Sequence, residues 1–292
     1  MADSVAGAGA DRHAAGPDVV AVVLAAGEGR RLRPLTALRP KPLCPVGGVA
    51  LVDRALAHVR AVTPEVAVNL HHGRAAIEAH LDELDGGLPP SGGWHRSIEA
   101  EQALGTAGAL GRLRSWIDGR AALVVNADTW HDADLASLTA GWDGVRVRVL
   151  MAPPAGGDHR FGPGVGIVAS LLPWAEVARL APVPSGLYEV VWRQAAADGR
   201  LDAVVHGGRF ADCGTAADYL RANALARAEA GLDSIVAADA VGRGSVTRSV
   251  IGAGAVIDGA VRDAVVWPGS RVGADELVVG AVRAGPLTVV VR

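Results

Sequence analysis

The segment Leu24-Ala-Ala-Gly-Glu-Gly-Arg-Arg-Leu-Arg-Pro-Leu-Thr36, followed by Arg39-Pro-Lys-Pro-Leu43, concentrates groups suited to holding an anion. A Gly27-Glu-Gly29 turn can present backbone N–H groups to a phosphate chain. Lys41 is the one lysine among 28 basic residues, the rest being arginine. An ammonium is a compact point charge, whereas a guanidinium is a wide planar fork. One lysine kept beside a glycine turn therefore reads as a point charge aimed at phosphate. The bland alternatives are a tight strand-to-loop turn, a solvated arginine cluster at 30, 31 and 33, and a lysine placed by chance. The turn is not a P-loop, because no Gly-Lys-Ser/Thr closes it. It is not the dinucleotide fingerprint, because the third glycine is missing.

Such a turn needs a strand in front of it. Val19 to Ala25 is a continuous apolar run, suited to a strand buried on both faces of a parallel sheet. Ala121 to Asn126 repeats the pattern and runs to Asp128. Further strands are expected at Val66 to Leu70, Val145 to Met151 and Val165 to Ala169. Helical patterns cover about Leu51 to Val62, Arg74 to Leu84, Gly186 to Ala197 and Ala216 to Ala230. Another helix should start near Thr106, with its hydroxyl as the cap. Alternating strands and helices argue for an α/β sheet covered on both faces. Ligands bind beyond the carboxyl ends of strands in that architecture, so Gly27 and Asp128 should face one crevice.

Composition excludes several classes. The net charge of -3 offers no bulk field for nucleic acid. No apolar run approaches the ~20 residues needed to span a bilayer. Two cysteines, Cys44 and Cys213, make no disulfide framework. Residues 1–18 lack the pattern of a signal peptide and read as a flexible tail, with a cytoplasmic location by default.

The texture changes after Leu232. Val241-Gly-Arg-Gly-Ser-Val246 is echoed by Ile251-Gly-Ala-Gly-Ala-Val256, and the pattern continues through Val266 to Leu277. An aliphatic residue leads each six-residue unit. This is a hexapeptide repeat, the signature of a β-helix, long enough for about three coils. The chain thus divides into the tail 1–18, an α/β unit 19–232 and a β-helix 233–292.

Four ordered motifs then carry a resemblance. Leu24 to Val46 is similar to the N-terminal signature of sugar-1-phosphate nucleotidyltransferases. Glu101-Gln-Ala-Leu-Gly-Thr-Ala-Gly108 resembles the family's base-recognition segment. Val124-Val-Asn-Ala-Asp128 and Phe210-Ala-Asp-Cys-Gly-Thr215 resemble the segments carrying its two metal-binding aspartates. The resemblance implies a Rossmann-like mixed sheet followed by a short left-handed β-helix. It also implies an enzyme that joins a nucleoside triphosphate to a sugar 1-phosphate with Mg2+. Arg31 and Lys41 would be catalytic, and Asp128 and Asp212 would hold the metal. Leu24, Ala26, Gly27, Gly29, Glu101, Gln102, Gly105 and Thr106 would bind the nucleotide. Gly166, Glu189 and Arg160 would meet the sugar phosphate. The family's Glu-Lys-Pro lysine has no counterpart between Met151 and Gly164, where Asp158-His-Arg-Phe161 stands instead, so either Arg160 substitutes or the sugar phosphate relies on Lys41 and the metal.

Leu104-Gly-Thr-Ala-Gly108 most resembles the segment in mannose-1-phosphate guanylyltransferases, which favours GTP and mannose 1-phosphate. Alternatives are UTP with glucose or N-acetylmuramate 1-phosphate, or a silent paralogue that only binds nucleotide sugars. A hexapeptide acyltransferase is disfavoured, because all nine histidines lie at or before His206, outside the repeats. The repeats read instead as a structural module that assembles a homo-oligomer. Asp132-Ala-Asp134 resembles a glycosyltransferase metal motif, but reads better as acid at a helix start.

Overall fold

The computed structural model describes residues 18–86, 93–153 and 160–291. The expected tail lies outside these apart from Asp18, as do Asp158 and His159. The strand β1 (Val19–Leu24) has β-branched residues on both faces, and both faces are covered. It pairs in parallel with β2 (Val66–Leu70) and β4 (Ala121–Asn126), and β2 pairs in parallel with β3 (His95–Ile98). On the far side of β4 runs β7 (Gly166–Leu172), antiparallel to β4 and to β6 (Val147–Ala152). The strand β8 (Leu201–Val205) closes that edge in parallel with β6. The seven-stranded order is β8-β6-β7-β4-β1-β2-β3, a mixed sheet.

Helices cover both faces, as period and burial dictate. The helix α1 (Leu51–Arg60) buries Leu51, Val52, Ala55, Leu56 and Val59, a single stripe at helical spacing. With Ile77 and Leu81 of α2 (Arg74–Asp85) it packs on Ala21 and Val23 of β1. The helix α3 (Gly105–Ile117) packs Leu110, Leu113 and Ile117 on Val20 and Val22, the opposite side. Successive β1 residues thus serve opposite layers, which is why the run carries no polar alternation.

A small antiparallel pair lies beyond the carboxyl edge: β5 (Thr129–His131) with β9 (Phe210–Asp212). The helix α4 (Ala216–Glu229) follows at once, capped by Thr215 Oγ1, which accepts from the Asp218 N–H. The tail forms short parallel strands stacked in coils. Ile235 pairs with Val250, and Val250 with Val265. Arg248 reaches the carboxylate of Asp263, 15 residues on, with bonds of 2.7 and 2.6 Å. A coil therefore advances by 15 residues here, shorter than the ~18 that three hexapeptides would use. Leu287–Val290 turns back antiparallel on Ala281–Ala284 and covers the last edge. Val250, Val265, Trp267 and Val282 share a hydrophobic core with Leu35, Cys44, Tyr219 and Ala222. Among the described residues no helix is long and apolar enough to cross a membrane.

Candidate active site

The chain leaves β1 through Leu24, Ala25 and Ala26 into the glycine turn. Asn69, at the end of β2, fixes this stretch: its Oδ1 accepts the Ala25 N–H at 2.8 Å. Its Nδ2 donates to Glu99 Oε1 at 2.7 Å, and Glu99 Oε2 accepts the Leu104 N–H at 2.7 Å. This buried network ties the β1 turn to the start of α3. Gly29 adopts φ 67°, and a Cβ there would lie 3.0 Å from Thr36 Cγ2 and 3.1 Å from Lys41 Cβ. Only glycine makes this turn without strain and lets the Lys41 loop approach.

Opposite the turn stand two carboxylates. Asp128 follows β4, and Asp212 ends β9. The antiparallel register sets Asp212 against Thr129, the neighbour of Asp128. The Cys213 N–H also donates to the Asp128 carbonyl at 3.3 Å. Lys41 Nζ donates to Asp128 Oδ2 at 2.8 Å and to Asp212 Oδ1 at 3.3 Å. The Arg31 guanidinium meets Asp212 Oδ2 at 3.3 Å. The Lys41 side chain is 6% exposed, against 41% and 47% for the two aspartates. Burial alone would push the Lys41 pKa down. The Asp128 charge and hydrogen bond, then Asp212, outweigh it and hold the pKa above the usual lysine value. The ammonium stays charged at neutral pH.

Two cavities meet at Asp128. The first, about 180 Å³, is lined by Leu24 to Gly27, Gly29, Lys41, Asn69, Gly105 and Thr106. The second, about 370 Å³, is lined by Arg31, Gly166, Ile167, Tyr188, Glu189, Trp192, Phe210 and Asp212. Leu24, Thr106, Asn126 and Asp128 border both. Thr106 is not a helix cap: α3 already begins at Gly105, and Thr106 Oγ1 accepts the Leu187 N–H at 2.8 Å instead. That bond holds the segment leading to Glu189. A Cβ on Gly108 would stand 2.2 Å from the Val183 carbonyl oxygen, so this segment lies directly on the helix backbone. The helix expected from Gly186 to Ala197 is a π-type turn, Tyr188–Trp192, running into Arg193–Ala197. Asp134 caps a short helix by accepting the Ala136 N–H, in keeping with acid at a helix start.

Of the residues chosen from sequence, Arg31, Lys41, Asp128 and Asp212 converge. Leu24, Ala26, Gly27, Gly29, Gly105 and Thr106 line the first cavity, and Gly166 and Glu189 the second. Glu101, Gln102 and Arg160 are exposed and line neither. Asn69, Glu99, Asn126, Tyr188 and Trp192 also stand at the site, outside the residues chosen from sequence. Only the buried pairing of Asn69 with Glu99 marks those two, and no local spacing announces it.

A nucleotidyl transferase family model matches residues 20–143. The N-acetylmuramate alpha-1-phosphate uridylyltransferase of Caulobacter vibrioides is 31% identical over 233 residues, covering 70% of this chain and 96% of that protein. The chain belongs to the sugar-1-phosphate nucleotidyltransferases. The mannose-1-phosphate guanylyltransferase of Mycobacterium tuberculosis is 34% identical over 146 residues, 49% of this chain and 40% of that one. A Bacillus anthracis crystal structure of a candidate glucose-1-phosphate thymidylyltransferase, in complex with sucrose, superposes with TM-score 0.56 at 19% identity. It covers 72% of this chain and 95% of that one, which bears on the fold alone.

As a sugar-1-phosphate nucleotidyltransferase, the chain must bring two anions together. Its donor set suits a divalent cation. Asp128 and Asp212 both bind one ammonium, so their oxygens already converge on a positive charge. Among the described residues no third His, Cys, Asp or Glu joins them. Mg2+ is commonly held by one or two carboxylates, with substrate phosphates and water completing its octahedron.

Proposed function

We propose that the chain transfers a uridylyl group from UTP to N-acetylmuramate α-1-phosphate or a closely related amino-sugar 1-phosphate, releasing pyrophosphate. The observation that carries the transfer chemistry is Lys41 Nζ, seated between Asp128 and Asp212 where the two cavities join. The nucleotide would occupy the first cavity, with its triphosphate along Gly27 to Gly29. The sugar would occupy the second, with Gly166 and Glu189 toward its hydroxyls. A phosphate oxygen of the sugar 1-phosphate attacks the α-phosphorus, and the bond to the β-phosphate oxygen breaks. Lys41 would hold the α-phosphate and the incoming phosphate, and Arg31 the triphosphate and the leaving pyrophosphate. Asp128 and Asp212 would hold Mg2+, which supplies charge neutralisation when bound. Catalysis of this kind is mostly positioning and electrostatics.

The choice of sugar and base is supported by the similarity to the Caulobacter protein over nearly its whole length. The aromatic wall of Tyr188, Trp192 and Phe210 also suits a sugar bearing an apolar acyl or ether substituent. The expected pair, GTP with mannose 1-phosphate, stands as a second reading. Its support is the shorter match to the guanylyltransferase. Residues 19–232 would form the catalytic unit and 233–292 a β-helix that assembles copies of the chain, in the cytoplasm. A monomer mass by light scattering of the full chain would remove the assembly role. The deciding experiment is a pyrophosphate-release screen of four nucleoside triphosphates against N-acetylmuramate, N-acetylglucosamine, glucose and mannose 1-phosphates with Mg2+. The UTP and N-acetylmuramate pair should give the highest kcat/KM. Preference for GTP with mannose 1-phosphate would replace the first reading by the second.

A further inference from the structure

Several β-helix side chains share a core with the Lys41 loop, and one of them, Trp267, also meets Arg39 and Tyr219. Trp267 lies in the tail, is 4% exposed, and packs in the core that also holds Leu35, Cys44 and Tyr219. Its Nε1 donates to Tyr219 Oη at 3.0 Å, and the two rings meet edge to face with centroids 6.4 Å apart. The Arg39 guanidinium carbon stands 5.5 Å from the Trp267 ring centroid. Tyr219 is fully buried, and its hydroxyl donates to the Pro45 carbonyl. Arg39 and Pro45 flank the single turn Lys41–Leu43 on either side. Both ends of the lysine loop therefore rest on the Trp267–Tyr219 pair.

This matters because Lys41 carries a long, rotamer-rich stem whose tip must sit between two carboxylates. The turn itself is held by two short-range bonds, Leu43 N–H to the Pro40 carbonyl and Cys44 N–H to the Lys41 carbonyl. Three residues with two such bonds do not fix a position in space. Leu43 adds packing against the sheet core, and the flanks add the contacts that tie the turn to α4 and the β-helix. Tyr219 belongs to α4, which starts four residues after Asp212, so its bond to Pro45 ties the lysine loop to the Asp212 segment. Asn223, one turn on, adds a bond from the Gly47 N–H to its Oδ1 at 2.9 Å. Trp267 closes the wall behind Tyr219 and fixes the direction of its hydroxyl.

We propose that Trp267 is a positioning residue for Lys41, which makes the β-helix part of the catalytic apparatus. The inference rests on the reading of Lys41 as catalytic. Its test compares Trp267→Ala and Trp267→Phe with Val261→Ala in the full chain. Val261 is 1% exposed and packs in a separate tail core with Ile251, Ile257 and Val272, away from the site. Two quantities are read at a temperature where circular dichroism shows each variant folded: kcat and KM for the nucleotide, and amide exchange across residues 39–47. Trp267→Ala should lower kcat roughly tenfold with little change in KM, the mark of a group misplaced in the transition state. Exchange at Leu43 and Cys44 should speed up. Trp267→Phe, which keeps a ring but loses the Nε1–H, should fall between. Val261→Ala should lower the melting temperature and change neither kcat nor the loop exchange. Wild-type kcat and exchange in folded Trp267→Ala would overturn the proposal, as would equal losses in Val261→Ala. If Trp267→Ala does not fold, Trp267→Phe decides by the same criteria. A wild type without turnover would overturn the functional reading only. The exchange comparison would still decide the positioning role, and unchanged exchange would sink it.

Discussion

Lys41 Nζ lies 2.8 Å from Asp128 Oδ2, across 87 residues of sequence, and the same ammonium reaches Asp212 at 3.3 Å. One buried cation thus joins the loop after β1 to the ends of β4 and β9. Lys41→Arg should lower kcat by roughly a hundredfold, because a planar fork does not fit the point-charge position between Asp128 and Asp212. The fold should persist, with circular dichroism and melting temperature near wild type. The Lys41 pKa lies above its ordinary value of 10.5, so the charge is complete below that pH. Any fall in activity between pH 7 and 9 should therefore be the same in wild type and Lys41→Arg. Full activity in Lys41→Arg would return the lone lysine to coincidence.

Gly29→Ala strains the same loop from the other side. A positive φ disfavours alanine by ~1 kcal/mol, and the new methyl would press on Lys41 Cβ and Thr36. The expected result is a drop of ~1–3 kcal/mol in urea unfolding and a lower kcat. Unchanged kcat at full folding would show that the turn does not set the lysine.

Thr106→Val removes the hydroxyl that accepts the Leu187 N–H, in a near-isosteric side chain. The orphaned N–H should cost ~1–3 kcal/mol, and the loosened segment carries Glu189. The KM for the sugar 1-phosphate should rise more than the KM for the nucleotide. An equal or larger rise in the nucleotide KM would contradict this.

His131 gives a pH dependence of stability. It is 4% exposed, lies 4.3 Å from the His58 ring at a tilt of 51°, and faces Asp132, His206 and Arg54. Burial first, then the charges of His58 and His206, pushes its pKa from 6.5 down to about 3, with Asp132 opposing. The folded chain refuses a proton that the unfolded chain accepts. Stability is therefore whole above pH 6.5 and is lost as pH falls toward 3, by up to ~1.4 kcal/mol per unit. Urea unfolding between pH 7 and 4.5 should show this slope in wild type and a shallower one in His131→Gln. Equal slopes would contradict the assignment.

Much of this was legible before any coordinates. The apolar runs at Val19 and Ala121 became β1 and β4, because a strand buried on both faces can only be apolar throughout. Lys41, Arg31 and the two aspartates were chosen by motif, and they meet in space. The elements that bring them together were not legible. The strands β5 and β9 are three residues each, too short for any period, and their pairing is what carries Asp212 to Asp128. The sequence of β3, His-Arg-Ser-Ile, is polar at an edge, with no apolar run to announce a strand. Glu101 and Gln102 lie exposed beside a cavity lined by Ala103, Gly105 and Thr106, while the buried Glu99 holds the loop through a partner no local motif announces. Thr106 looked like a cap because caps are local, whereas its partner at Leu187 is 81 residues away.

Asp128 and Asp212 share one ammonium beside the junction of the two cavities, and both should be needed for turnover. The most direct measurement is Mg2+-dependent pyrophosphate release by the full chain, with UTP and N-acetylmuramate α-1-phosphate, in wild type and in Asp128→Asn and Asp212→Asn. The account predicts turnover in wild type and a loss of at least ~1,000-fold in each variant with the fold intact. Near-normal rates in either folded variant would contradict it.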